Sequence, residues 1–297
     1  MSFHFYVKNN TPVTFSQVLT NKYVPKQVAI AYEKEKNEII QGFSKLYIPL
    51  ESSRGVVITK DDDEYDIELN TGASETDYYL ATRVALALGE LNNSDITDEL
   101  GEIFSADGLQ EEYTKKWAQE IESYGINALI HIIQEHSSSV QLNGCKRAYY
   151  FGEKMLQKLT NEQHLTEAEI AKNIVEDIKQ LQFIEDIQKD IHVPTLMEAD
   201  FIEGTQSFIS VAPNFRLLLI KADCIILRND EHLAKFDYED FIELPKIKEK
   251  LHPIDEEQFI MESLSNHEYQ KIIKQYIKAL IAKEKPKKSK SKWKFWK

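Results

Sequence analysis

The spacing of apolar residues changes period along the chain, and this change is the strongest constraint on what it can fold into. Phe3, Phe5 and Val7 alternate with their neighbours, the two-residue period of a strand with one buried face. Ala171, Ile174, Ile178, Leu181, Ile184, Ile187 and Ile191 recur three or four apart, the stripe of an amphipathic helix. Both periods occur in separate blocks, which reads as an α+β chain.

Local signals extend the pattern. Residues 56–59 and 65–69 are β-rich runs around Lys60-Asp-Asp-Asp-Glu64, a hairpin with an acidic turn. Ser74-Glu-Thr-Asp77 has the form of a helix N-cap, because the serine oxygen can accept an otherwise orphan amide; a helix over 78–91 follows. Further helices are expected over 111–122 and 126–136, and the strand pattern returns over 140–151. Thr166-Glu-Ala-Glu169 is a capping box that opens the long amphipathic helix, with Pro194 just beyond it. The runs 208–211, 215–220 and 224–227 suggest a β-meander. Residues 255–264 read as a helix, and Ser265-Asn-His-Glu268 caps another that reaches about Ala282. The expected fold is α+β, antiparallel strands and hairpins with packed helices, in one unit that two sub-domains can share. Its parts are an α+β region over 1–159, a connector helix over 160–193, a β-meander with helices over 194–282, and a tail over 283–297.

That tail differs in charge from everything before it. Residues 283–297 hold eight lysines and one glutamate, a net of +7; with −13 for the whole chain, residues 1–282 carry −20. A body this acidic argues against lying on nucleic acid or on an anionic membrane. No run approaches 18 apolar residues, so no transmembrane helix is expected, and the N-terminus shows no secretory pattern. Cys145 and Cys224 match no ligand or redox spacing and suit a reducing cytoplasm.

Standard chemistry finds little support. The ten glycines are at least seven residues apart, which excludes G-x-G-x-x-G, a Walker loop and a G-x-S-x-G elbow. His131 and His136 are five apart, about 140° around a helix, and cannot share one metal. His267-Glu-Tyr-Gln-Lys271 begins like a zinc-protease motif but ends in lysine. From Asp61, the positions a calcium loop needs as glycine and glutamate are Asp66 and Gly72. Glu239-Asp240 beside Tyr238 reads equally as a charged face or a site. Lys146 and Arg147 beside Cys145 would lower a thiol pKa, against the alternative that this cysteine is simply buried. No catalytic residue, metal ligand or cofactor is assigned.

Phe3-His-Phe-Tyr-Val-Lys-Asn-Asn10, Ser53-Arg-Gly-Val-Val57, Glu68-Leu-Asn-Thr-Gly-Ala-Ser-Glu-Thr-Asp77, Phe236-Asp-Tyr-Glu-Asp-Phe241 and Ile254-Asp-Glu-Glu-Gln-Phe-Ile260 occur in an order that resembles a bacterial family of roughly 300-residue proteins classed only as a domain of unknown function. The resemblance spans most of residues 1–282, implies a bacterial setting, and implies no site residues.

Function is therefore expected from the tail. Lys285, Lys287, Lys288, Lys290, Lys292, Lys294 and Lys297, with Trp293, Phe295 and Trp296, form the expected partner-binding element. Each lysine near an anionic bilayer contributes about 1 kcal/mol, and the aromatics suit the headgroup level. Fifteen extended residues reach roughly 50 Å, while screening acts over about 8 Å, so the tail can bind while the body stands off. A protein partner, or the acidic body itself, could equally receive the aromatics. Nucleic acid is disfavoured, and the bland alternative is a solubilising end. The expectation is a non-catalytic, cytoplasmic interaction protein, peripheral at the membrane if lipid is the target. An enzyme with a nonstandard site between the halves is the rival class.

Overall fold

Pairing of the first strand with residues sixty positions later sets the frame of the molecule. The structure, a computed structural model, describes residues 2–31, 34–61, 63–136, 139–163 and 165–284. It divides into two compact units, Met1–Ile187 with Ile254–Glu256, and Gln188–Pro253 with the chain from Glu257 onward. The fold is α+β, with antiparallel pairing predominant.

In chain order the first unit comprises β1 (Ser2–Lys8), α1 (Phe15–Leu19), β2 (Ala29–Ile30), β3 (Gly42–Tyr47), β4 (Val56–Lys60), β5 (Glu64–Asn70), α2 (Glu75–Asn92), β6 (Ile96–Asp98) and β7 (Ile103–Phe104). There follow α3 (Ala106–Glu112), α4 (Lys115–His136), the hairpin of β8 (Val140–Asn143) and β9 (Ala148–Phe151), then α5 (Glu153–Gln163), α6 (Glu167–Gln182) and α7 (Ile184–Ile187). Seven strands form one antiparallel sheet, in the order β2-β3-β4-β5-β1-β6-β7. Phe3, Phe5 and Val7 pair with Leu69, Ile67 and Tyr65 and point to the same face. That face packs on α2, whose Leu80, Ala81, Val84, Ala85 and Leu88 are buried. The opposite face carries His4, Tyr6, Glu64, Asp66 and Glu68, with His4 Nδ1 2.8 Å from Asp66 Oδ1. One packed and one polar face is the expected outcome for an antiparallel sheet with alternating side chains.

The sequence reading and the structure part at tertiary contacts. The two helices expected over 111–122 and 126–136 are one, α4, preceded by the short α3. Gly125 does not break α4. It brings the helix close to the β5–α2 turn, where a Cβ would lie 3.4 Å from Thr71 Cγ2 and 3.8 Å from Gly72 N. The amphipathic helix expected to reach Ile191 stops at Gln182. Arg147 ends it: its Nη1 donates to the carbonyl oxygens of Leu181 and Gln182, at 2.8 and 2.7 Å, supplying the cation and donor that a helix C-terminus favours.

The second unit contains β10 (Ile191–His192), β11 (Met197–Phe201), β12 (Gly204–Val211), β13 (Arg216–Leu219), β14 (Cys224–Arg228), β15 (Leu233–Asp237), α8 (Tyr238–Ile242), α9 (Pro245–Lys248), β16 (Leu251–Pro253), β17 (Phe259–Met261) and α10 (Asn266–Glu284). The three apolar runs do become strands, but not a meander. β12 pairs in parallel with β14, while β13 leaves for another sheet and pairs with β10 and β17. Nor is 255–264 helical, because Phe259–Met261 pairs with both β13 and β16. Ile209, Leu217, Leu219, Ile225, Leu227, Phe241, Ile247 and Ile273 form the core of this unit.

One half-buried carboxyl yields a pH test. On α6, burial pushes the Asp177 carboxyl up to about 6, which Lys158 opposes. The unfolded chain releases this proton near the ordinary value of 3.8. The stability this group supplies is thus fully present below pH 3.8 and is lost as pH rises through about 6. Asp177→Asn should therefore stabilise the protein at pH 7.5 by up to about 3 kcal/mol, given about 1.4 kcal/mol per unit. The gain should vanish near pH 3.5, read as urea midpoints across that range.

Candidate functional site

Two of the sequence segments that carry the family resemblance meet at one atom. Asp77 sits in the first turn of α2 and is fully buried. Its Oδ2 accepts from the backbone N–H of Ser74, closing the capping box, and from those of Ser53 and Arg54, each at 3.0 Å. The hydroxyl oxygens of Ser53 and Ser74 lie 3.0 Å from the same oxygen. A carboxylate with several backbone donors at a helix N-terminus is stabilised twice, by the hydrogen bonds and by the helix dipole. Gly55 follows because the chain turns sharply there: φ is +70°, and a Cβ would stand 2.6 Å from the Leu46 carbonyl oxygen.

The polar groups around Asp77 are held by backbone rather than aimed at solvent. Arg54 donates from Nε to the Asn143 carbonyl at 3.1 Å and from Nη1 to that of Thr71. Lys45, only 4% exposed, donates to the Gly144 carbonyl at 2.9 Å. Burial, reinforced by the charge of Arg54, holds its ammonium below the usual lysine value. Gln182 Oε1 accepts from the N–H groups of Lys146 and Arg147 at 2.8 and 2.7 Å. Gly144 makes room for it, since a Cβ there would collide with the Gln182 amide. These contacts pin the β8–β9 turn over the polar face of the sheet.

This geometry decides between the two readings of Cys145 in favour of the buried one. The thiol is 1% exposed, and burial, with the charge of Asp77 adding to it, pushes it up to about 12. Its sequence neighbours turn elsewhere. Lys146 Nζ lies 3.3 and 3.2 Å from Glu185 and Asp186, and Arg147 Nη2 lies 2.7 Å from Glu185. Adjacent cations in sequence therefore serve the end of α6 and the acidic side chains of α7, and the thiol stays protonated. Elsewhere, His131 and His136 are exposed on α4 and His267 is exposed on α10. Asp61 Oδ1 accepts from the N–H groups of Asp63 and Glu64, and Glu239 pairs with Lys221. No group of three His, Cys, Asp or Glu among the described residues could hold a metal ion.

The second candidate lies at the end of α10. Ser265 and Glu268 cap the helix reciprocally. Its first half is anchored: the Tyr269 hydroxyl accepts from Arg228 N at 2.8 Å and lies 2.9 Å from the Val211 carbonyl oxygen, and Tyr276 packs on Phe236 with ring centroids 4.6 Å apart. The apolar stripe Tyr269, Ile272, Ile273, Tyr276, Ile277, Leu280, Ile281 then runs beyond its cover. Leu280 is 40% exposed and Ile281 52%. Beside the stripe stand Lys274 and Lys278, both exposed. A groove of about 340 Å³ is lined by Ile273, Lys274, Ile277, Lys278, Ile281, Ala282 and His232. The tail residues singled out by sequence, from Lys285, Lys287, Lys288, Lys290 and Lys292 to Trp293, Lys294, Phe295, Trp296 and Lys297, lie outside the described residues. Among the described residues no helix is long and apolar enough to cross a membrane.

Residues 2–182 match the family described as Domain of unknown function (DUF4299). The chain belongs to this family. The match ends at Gln182, so the Asp77 cluster lies inside it, whereas Phe236-Asp-Tyr-Glu-Asp-Phe241, Ile254-Asp-Glu-Glu-Gln-Phe-Ile260 and α10 lie beyond. No curated protein and no solved structure matches the chain significantly. Within the family segment, removing the buried hub should be costly. Asp77→Ala strands several donors and should destabilise by about 3–5 kcal/mol in urea unfolding. A thiol titration should find neither Cys145 nor Cys224, both buried, reactive in the folded protein at pH 8, and both reactive in denaturant.

Proposed function

We propose that the protein acts by binding rather than by catalysis, docking onto a negatively charged membrane surface through the uncovered end of α10 and the tail that follows it. The observation that supports this reading is the continuity of the two. Leu280 and Ile281 are exposed apolar residues beside Lys274 and Lys278, and the helix leads within a few residues into a segment of net charge +7 ending in Trp293, Phe295 and Trp296. Apolar insertion and cationic attraction are the two signals that stable peripheral attachment requires. The −20 charge of residues 1–282 opposes close approach of the body. Its repulsion is short-ranged at physiological salt, so a projecting element is the form of attachment that such a body tolerates.

Co-sedimentation tests this. The full chain should pellet with vesicles containing phosphatidylglycerol and not with purely phosphatidylcholine vesicles. Raising salt from about 0.1 to about 1 M shortens the screening length from about 10 to about 3 Å and should release most of it. A chain ending at Ala282 should stay in the supernatant under all conditions. If the full chain ignores anionic vesicles, the membrane reading falls. A pull-down comparing the same two chains then asks whether the tail takes a protein instead.

A further inference from the structure

We propose that the groove at the end of α10 receives a single acyl chain of an anionic lipid, with Lys274 and Lys278 meeting the headgroup phosphate. The proposal deepens the membrane reading by naming the ligand of a site beside the tail, and it rests on that reading for the source of the lipid. The groove has an amphiphile's two chemistries side by side. Ile273, Ile277 and Ile281 repeat along one side of the helix at four-residue spacing, and Lys274, Lys278 and Ala282 run parallel to them one position on. Across from the helix is His232, in the turn between β14 and β15. Its volume of about 340 Å³ falls at the lower end of small-ligand sites.

Charge and size choose among the occupants. The chain's own tail carries +7 and would be repelled by Lys274 and Lys278. A second copy packing α10 on α10 would bring the same lysines together, and like charges at close range are destabilising. A docked partner helix is about 10–12 Å across and lays its apolar face into a hydrophobic groove, whereas this one is bounded by one helix and a single turn residue. A flexible chain with one negative end meets both requirements. Lysine is suited to it as a point charge for phosphate.

The test titrates the full chain with lysophosphatidylglycerol kept below its micelle concentration, read by calorimetry, with glycerol 3-phosphate as the control lacking a chain. Saturable one-to-one binding of the lipid and none of the control is expected. Ile281→Asp, and separately Lys274→Glu with Lys278→Glu, should each weaken binding by about tenfold or more. All three positions are exposed, so melting temperatures should match the parent and loss of fold cannot mimic the result. The triple change Trp293→Ala, Phe295→Ala and Trp296→Ala should leave monomer uptake unchanged while weakening vesicle pelleting. The proposal is overturned by absent uptake, by uptake that survives both groove variants, or by uptake lost in the tail variant. Pelleting without monomer uptake sinks the groove and leaves the membrane reading standing. Monomer uptake without pelleting does the reverse.

Discussion

A single carboxylate oxygen organises the first unit. Asp77 Oδ2 ties the start of α2 to the Ser53-Arg54 turn between β3 and β4, two chain segments more than twenty residues apart. The same turn carries Arg54 to the Asn143 carbonyl and receives the Cys145 amide at the Ser53 carbonyl, so the β8–β9 hairpin is fixed to it too. Burying a charge is expensive, and Asp77 offsets that cost through Oδ2 alone, its Oδ1 being buried without a hydrogen-bond partner. Here the donors are mostly backbone amides that would themselves be orphaned without the carboxylate. Each side of the arrangement makes the other tolerable, and sheet, helix and hairpin are set in register by it.

The second unit presents a different balance. α10 is secured over its first half by Tyr269, Tyr276 and Ile273, then continues as an amphipathic helix with nothing described over Leu280 and Ile281. Exposed apolar surface beside lysines has a cost in water that a membrane surface removes. Under the proposed membrane reading, the acidity of residues 1–282 keeps the body clear of such a surface, and attachment and repulsion fall to different parts of one molecule.

What sequence revealed and what it hid follow the range of the interaction. The capping boxes at Ser74, Thr166 and Ser265 were legible because each serine or threonine bonds an amide three residues away. The alternation in β1 was legible because one buried face dictates it. The end of α6 was not, since the residue that stops it, Arg147, lies more than thirty positions upstream. β13 looks like the middle of a meander because its apolar run is indistinguishable from those of β12 and β14, and only its partners separate it. The two readings of Cys145 could not be separated for a similar reason: neighbours in sequence imply a shared environment only if their side chains point the same way. For the candidate site, composition marked the tail, but periodicity says which face of α10 is apolar and not whether anything covers it.

The placement of Ile254–Glu256 in the first unit has a consequence for how this chain is made. Asp255 Oδ2 accepts from Tyr150 N at 3.0 Å, and Glu256 N donates to the Tyr150 carbonyl at 3.0 Å, across 105 positions in the first case. A ribosome that has released Ile187 has delivered the seven-stranded sheet and its helices, but not these partners. At roughly 5–20 residues per second they arrive several seconds later. During that interval β9 has its hairpin partner β8 but not the two hydrogen bonds from Asp255 and Glu256, so the first unit completes its contacts only after much of the second has been synthesised.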